Sequence, residues 1–363
     1  MAGIGDYLKD PLLGFMYGKI RDAGAIRAVS LDVTNICNLR CAGCYYFEEG
    51  MDSAGKGSVR KLSSWIESEK IRGTNFITIV GGEPSLELDG LHQLYQSFKL
   101  NVATNGMVKI PIAGFEKLPI GIALWGNNQT DSKLRANGKI DLFKKALVNY
   151  KNDERAFWYY TIAPGYAHEV EEVVDRCIQN GNHLLFNYYS DLSNLGGALD
   201  HRNGFGAVME AIANAIEKYP SKIYNTLYFN EIIGTGRLYN STWGYDVCTN
   251  LSENLSINKA RFKNGNPFNP HFRAYNSDYE TTRRCCTGIN RSCESCFDTW
   301  EHFSWIMINL RKHAGSKEEF SNWLFTTFIF YGLNRIIEID NIDGVLSQIH
   351  EREQEMSLIK SNG

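Results

Sequence analysis

Three cysteines fall within eight residues of the stretch "DVTNICNLRCAGCY": Cys37, Cys41 and Cys44, spaced C-x3-C-x2-C, with no fourth close by. Iron–sulfur clusters are commonly held by four thiolates. Three on one loop can hold three irons of a four-iron cluster and leave the fourth open to an outside ligand. An open iron can chelate the amino and carboxylate groups of a small molecule and pass an electron into it. Structural zinc prefers four ligands, typically in paired C-x2-C units, so here it would need a distant partner; a disulfide is a further alternative. A second zone holds Cys248, Cys285, Cys286, Cys293 and Cys296, most of it in "RRCCTGINRSCESCFDTW". Its C-x2-C at Cys293 and Cys296 supplies half of a four-cysteine zinc knot, and its five thiols also suit one iron–sulfur cluster with one to spare. Cys177 stands alone in a helical pattern, as a small buried apolar residue does. In a large chain without a secretory signal, clustered cysteines point to metal or redox chemistry rather than to structural disulfides.

The elements that must position these residues alternate. β-rich runs cover Ala28–Thr34, Phe76–Gly82, Lys99–Asn105, Ile120–Gly126, Phe157–Ala163 and His183–Tyr189. Amphipathic patterns separate them, such as "SVRKLSSWIESEK", "LHQLYQSFK", "DLFKKALVNYK" and "AHEVEEVVDRCIQNG". The last repeats apolar residues at helical spacing and stops at Gly181. Such alternation predicts parallel βα units, six of them where a closed barrel has eight. After Ser190 comes the helix "MEAIANAIEKY", then a weakly periodic region from Asn225 to Arg284 rich in Asn, Gly and Tyr. Irregular stretches of this length usually carry function or cover a site, and a lid over the site and a coat around the second cysteine zone are both open. Three helical segments close the chain: "WEHFSWIMINLRKHA", "EEFSNWLFTTFIFYGLNRII" and "DGVLSQIHEREQEM".

Bulk properties narrow the class. The 363 residues carry a formal net charge of -3, which gives no reason to expect nucleic acid or an acidic membrane as partner. The first residues lack the basic segment, apolar run and cleavage site of a secretory signal. "WLFTTFIFYGL" (Trp323 to Leu333) is too short for a bilayer and lies in a mixed amphipathic region. The expectation is a cytoplasmic protein with no membrane or nucleic-acid partner.

The second strand ends in Gly81-Gly82-Glu83-Pro84. With C-x3-C-x2-C after the first strand and "GGEP" after the second, the chain resembles the radical S-adenosylmethionine (SAM) superfamily. "ATNG" (Ala103 to Gly106) stands where that family has a ribose-contacting loop, and "DSKLRANGKIDLFKKAL" is similar to its R-x-x-G-x-x-x-x-F segment, with Arg135, Gly138 and Phe143 in register. The resemblance covers residues 28 to 195. It implies an α/β fold, a partial (β/α)6 TIM-like barrel, preceded by a lead-in (1–27) and followed by a largely helical and irregular cysteine-rich extension (196–363).

It also implies the site. Cys37, Cys41 and Cys44 hold a [4Fe-4S] cluster, and SAM is bound by Gly43, Tyr45, Gly81, Gly82, Glu83, Pro84, Thr104, Asn105, Trp125 and Arg135. Physical roles fit beside these. Glycines admit a close backbone approach, Glu83 can accept from the SAM ammonium or ribose, and Arg135 can offer its fork to a carboxylate or be an ordinary helix-surface arginine. Asn105 can bond a ribose hydroxyl or serve a turn. The family usually has an aromatic residue where this chain has Gly43, so side-chain packing there must come from elsewhere. An auxiliary [4Fe-4S] cluster on Cys248, Cys286, Cys293 and Cys296 is implied, with Cys285 as substitute for Cys286. The activity implied is reductive SAM cleavage followed by hydrogen-atom abstraction, with electrons from a donor such as flavodoxin or ferredoxin. The short segment before the first strand leaves no room for a leader-binding module, which points to a small polar metabolite, nucleoside-like or sugar-like; a ribosomal peptide or protein substrate is the alternative.

Overall fold

Each β-rich run of the first half forms a strand, and helices carry the chain to the parallel neighbour everywhere but from the third strand to the fourth, where residues 105–119 form a loop. The computed structural model describes residues 3–236, 250–261, 269–289 and 296–361. Strands β1 (Ala28–Asp32), β2 (Phe76–Val80), β3 (Lys99–Thr104), β4 (Ile120–Leu124), β5 (Ala156–Ile162) and β6 (His183–Tyr188) pair in chain order, all parallel. The helices are α1 (Ile4–Tyr7), α2 (Pro11–Ala23), α3 (Tyr45–Glu48), α4 (Val59–Arg72), α5 (Leu88–Ser97), α6 (Asn128–Ala136), α7 (Leu142–Asn149), α8 (Val170–Gln179), α9 (Gly206–Lys218), α10 (Leu227–Gly234), α11 (Thr299–Ile308), α12 (Lys317–Leu333) and α13 (Ile342–Ser361).

The sheet does not close on itself. At its first edge, β1 takes up β7 (Ala274–Tyr275) in parallel, and β8 (Thr282–Arg283) pairs antiparallel beyond it. The expected six-stranded partial barrel is therefore present, with two short strands added. Both come from the region that the sequence pattern left irregular.

Pleat alternation sorts the aromatic residues of β5. Phe157 and Tyr159 face a cavity on the concave side of the sheet, while Trp158 packs edge-on against Phe143 of α7, ring centroids 5.3 Å apart. On α8, Val170, Val173, Val174 and Cys177 are buried along one face, so Cys177 is the apolar core residue its pattern predicts.

The closing helices fill the open side of the barrel. Thr299, first in α11, donates its hydroxyl to the Phe186 carbonyl of β6 at 2.9 Å, and Phe330 of α12 packs on Phe76 of β2 as well as on Trp300 and Phe303 of α11. The amphipathic character expected of "WLFTTFIFYGL" is absent. Residues Trp323 to Tyr331 are buried all round α12, because α2, α10, α11 and α13 surround it, and a helix apolar on every side belongs in a core. No helix among the described residues is long and apolar enough to cross a membrane. One hydrophobic core joins side chains from Tyr7, through the barrel strands, to Ile349.

Candidate functional site

The loop after β1 carries the three cysteines, and its course is fixed by neighbours. Gly82 donates to the Thr34 carbonyl at 2.9 Å, and Glu83 to the Ile36 carbonyl at 2.8 Å. A side chain at Gly82 would put its Cβ 2.2 Å from the Ile36 oxygen, so this glycine is required by the approach of the cysteine loop itself. Farther along, Ala42 donates to the Leu134 carbonyl of α6 at 2.7 Å, and the Phe47 and Glu48 amides of α3 bond the Cys44 carbonyl. Cys37, Cys41 and Cys44 are free thiols, each half-buried. Burial pushes the Cys37 thiol up to about 11, and the charges of Glu83, Cys41 and Cys44 push the same way. Cys41 and Cys44 are raised, again chiefly by burial.

Among the described residues no three Cys, His, Asp or Glu side chains stand close enough to hold a single metal ion. A single zinc, with Zn–S bonds of about 2.3 Å, would need its sulfurs about 4 Å apart, whereas a four-iron cube spreads its ligands over a larger body. A four-iron cube would be held by these three half-buried thiols, and binding it would displace their protons.

The "GGEP" and "ATNG" loops are tied together by Glu83, which is 1 % exposed. Its Oε1 accepts from Ser85 N and the Thr104 hydroxyl at 2.9 and 2.6 Å, and its Oε2 from Asn105 N at 2.7 Å. Pro84 is buried in the short 3-10 turn that follows Glu83. Asn105 then reaches Asn38 of the cysteine loop, Nδ2 to Oδ1 at 2.7 Å. Glu83, Thr104 and Asn105 therefore join three strand ends directly, and one carboxylate lone pair of Glu83 remains beyond those three bonds.

Trp125, Gly43 and Arg135 meet on the other side of the triplet. Gly43 has φ +65°, and a Cβ there would lie 2.3 Å from the Tyr189 hydroxyl and 3.0 Å from Leu195. Tyr189 in turn stands edge-on to Trp125 at 5.4 Å. The aromatic packing absent at position 43 is thus supplied from the ends of β6 and β4. Arg135 is not on the helix surface. It is 2 % exposed, donating from one guanidinium nitrogen to the Ala123 carbonyl at 2.7 Å and to Asp131 Oδ1 at 2.9 Å.

Inside the barrel a cavity of about 110 Å³ is lined by Tyr45, Phe157, Tyr159, Cys286, Asp298 and Trp300, among others. Of these, Tyr45 follows Cys44 in the chain, and Cys286 belongs to the second cysteine zone. Tyr159 donates its hydroxyl to Asp298 Oδ2 at 3.3 Å, and Asp298 caps α11 through Trp300 N at 2.9 Å. Burial and the charge of Glu301 lift the Asp298 carboxyl to about 7. The Cys286 thiol donates to Glu301 Oε1 at 2.8 Å. Cys285, Cys286 and Cys296 are all raised by burial and then by the charge of Glu301. Cys248 and Cys293 lie outside the described residues.

A buried ion pair couples this second zone to β1. Arg283 donates to both oxygens of Asp32 at 2.7 and 2.8 Å and also to the Cys285 carbonyl at 3.1 Å. Burial lifts Asp32 to about 6 against the pull of Arg283. Sequence reasoning missed Asp32, Arg283, Asp298 and Glu301, and gave Asp131 and Tyr189 no role of their own. Asp131 alone carried a signal, four residues before Arg135 on a predicted helix.

No family model matches the chain, and no curated protein does. Among solved structures, anSMEcpe with bound AdoMet and Cp18Cys peptide aligns over 76 % of this chain and 79 % of that one, at 16 % identity and TM-score 0.47. SuiB of Streptococcus suis, bound to precursor peptide SuiA, aligns over 56 % of this chain and 50 % of its own, at 15 % identity and TM-score 0.39. TYW1 with a lysine-pyruvate adduct aligns over 56 % and 81 %, at 13 % identity and TM-score 0.35. Likeness at this level carries nothing about residue roles or substrate.

Proposed function

We propose that this chain is a radical SAM enzyme that abstracts a hydrogen atom from a side-chain-sized group of a peptide or protein. The observation that carries the reading is the braced loop with three clustered, half-buried thiols, opening beside a barrel cavity that also reaches Cys286. When bound, a [4Fe-4S] cluster on Cys37, Cys41 and Cys44 with SAM supplies the one-electron reduction and the radical. The chain's own residues do the rest. Glu83 and Asn105 hold the loops around the cofactor site in register. Trp125 and Tyr189 wall it beside Gly43. Phe157 and Trp300 keep the cavity largely apolar, and Tyr159 and Asp298 give it one polar end that can orient a donor group. Cys286 and Cys296, beside Glu301, are ligands for a second cluster in the extension, with Cys248 and Cys293 completing it.

The cavity's volume supports one substrate class over the other. An apolar cavity of about 150 Å³ accommodates a benzene, so about 110 Å³ suits one amino-acid side chain and is small for a nucleoside. The peptide alternative is therefore favoured over the small polar metabolite. The bound peptides of anSMEcpe and SuiB belong to those proteins and raise the same possibility here.

Deuterium transfer tests the choice. Reconstituted protein with SAM and dithionite is given the peptide-and-protein fraction or the small-molecule fraction of an extract from cells grown on deuterated amino acids and sugars. Label in 5′-deoxyadenosine from the polymer fraction supports the reading; label from the small-molecule fraction alone overturns it.

A further inference from the structure

Three polar side chains stand in one row across the wall of the barrel cavity. Ser30 of β1 is in register with Thr78 of β2, and Thr78 with Asn101 of β3. Residues paired in this way project to the same face of a sheet, and all three line the cavity. The strands run on for two or three residues past the row. At about 3.3 Å per residue, the row therefore lies roughly 7–10 Å below the strand ends that carry the cysteine, "GGEP" and "ATNG" loops.

Two polar atoms of the row are unpaired. Ser30 and Asn101 are 1 % and 3 % exposed, and Ser30 Oγ and Asn101 Oδ1 have no hydrogen-bond partner among the described residues. The Asn101 amide is fixed from behind. Asn334 donates to the Phe330 carbonyl of α12 at 2.8 Å, which turns its own oxygen to Asn101. Asn101 must then present its nitrogen there, at 2.6 Å, and its oxygen is left as an acceptor. Asn187 of β6 provides a contrast, since its Nδ2 donates to the Thr161 hydroxyl at 3.1 Å and its Oδ1 accepts from Thr299 N at 2.9 Å. A buried polar atom left unpaired lowers stability, so two of them in one row lining a cavity point to a ligand that pairs them.

We propose that Ser30, Thr78 and Asn101 recognise the tip of the substrate side chain, and that this tip is a carboxamide, as in glutamine or asparagine. The inference deepens the peptide reading above and rests on it. Asn101 Oδ1 accepts from the carboxamide nitrogen, and the Ser30 hydroxyl donates to its oxygen. The two ends of the row are two strand spacings apart, about 10 Å at the backbone. A carboxamide, with donor and acceptor on separate atoms, extends along such a row better than a single hydroxyl does. Charged tips fit poorly. Among the described residues no Lys, Arg or His lines the cavity, so a carboxylate would be buried without a partner. The carboxylate that does line it, Asp298, already accepts from Tyr159 and Trp300 N. Bound by its tip, the side chain holds its carbons, not its amide, toward the cysteine loop.

The test is binding of propionamide, which carries the glutamine side chain's amide and carbons, to reconstituted full-length protein, followed by saturation-transfer NMR. Beside it are 2-butanone, with the same shape and carbonyl but no N–H, propionate, and 1-propanol. Propionamide should bind at least about fivefold more tightly than butanone or propionate, since neither can pair Asn101 Oδ1. Ser30→Ala should weaken propionamide about two- to tenfold without lowering the melting temperature, because the hydroxyl removed was unpaired. Asn101→Leu should bring propionamide and butanone together; if that variant does not fold, Ser30→Ala decides. Equal binding of propionamide and butanone by the wild type overturns the proposal, as does tighter binding of 1-propanol than of propionamide. A Ser30→Ala protein that binds propionamide unchanged or melts at lower temperature also overturns it, the pattern of a hydroxyl held by a structural water. A wild type that forms no 5′-deoxyadenosine from SAM and dithionite overturns the function reading instead, a result separate from binding.

Discussion

Gly43 and Tyr189 form a pair that neither residue's neighbourhood in the chain announces. The glycine adopts φ +65°, and the Tyr189 hydroxyl occupies the space its Cβ would need. Gly43→Ala should therefore destabilise the fold, by about 1–2 kcal/mol for the left-handed backbone and further for the collision. Tyr189→Phe removes the colliding oxygen and should return part of that loss in the double variant. Urea melts of the two singles and the double check this; strictly additive effects would argue against the contact. What was legible at this scale was local. The cysteine spacing and "GGEP" are read from adjacent residues and land on one rim. Tyr189 and Asp298 act through space, so no spacing in the chain marks them. Arg135 was legible as a residue with a role, but its inward direction was not, because helical position alone does not say which face turns into the protein.

At the scale of elements, all six barrel strands were legible from β-rich runs between amphipathic segments, but each was read one or two residues too long at its end. There the backbone leaves the ladder to form the site, as where Gly82 bonds the Thr34 carbonyl. β7 and β8, two residues each, are too short for any period to show. Arg283 and Asp32 join that hairpin to β1, at 3 % and 0 % exposure. Arg283→Met should cost about 3–5 kcal/mol, since it strands a buried carboxylate, while Asp32→Leu with Arg283→Met should cost far less. Chemical denaturation with a two-state fit measures both. A double variant as damaged as the single would show that the carbonyl bonds of Arg283 to the second cysteine zone outweigh its pairing with Asp32.

Across the whole molecule, helices that follow the irregular region complete the barrel's open side, and this was the least legible feature. Composition marked α12 as apolar but not as central, since its surroundings come from distant parts of the chain. His302, buried in α11 at 0 % exposure, gives this packing a pH signature. Burial holds its pKa down at about 4, against about 6.5 in an unfolded chain. Between those values the unfolded state binds the extra proton, so stability is complete above about pH 6.5 and falls as pH drops toward about 4, by about 3 kcal/mol. Thermal or urea melts across this range should show the loss, and His302→Gln should flatten it. An unchanged slope in the variant would assign the acid sensitivity to other groups.

The central claim is that Cys37, Cys41 and Cys44 carry the cluster at which SAM is cleaved. Its most direct measurement is 5′-deoxyadenosine formed by anaerobically reconstituted protein given SAM and dithionite, beside the same protein with all three cysteines changed to alanine. The account predicts clear formation by the wild type and none above background by the triple variant. Equal formation by both would contradict it.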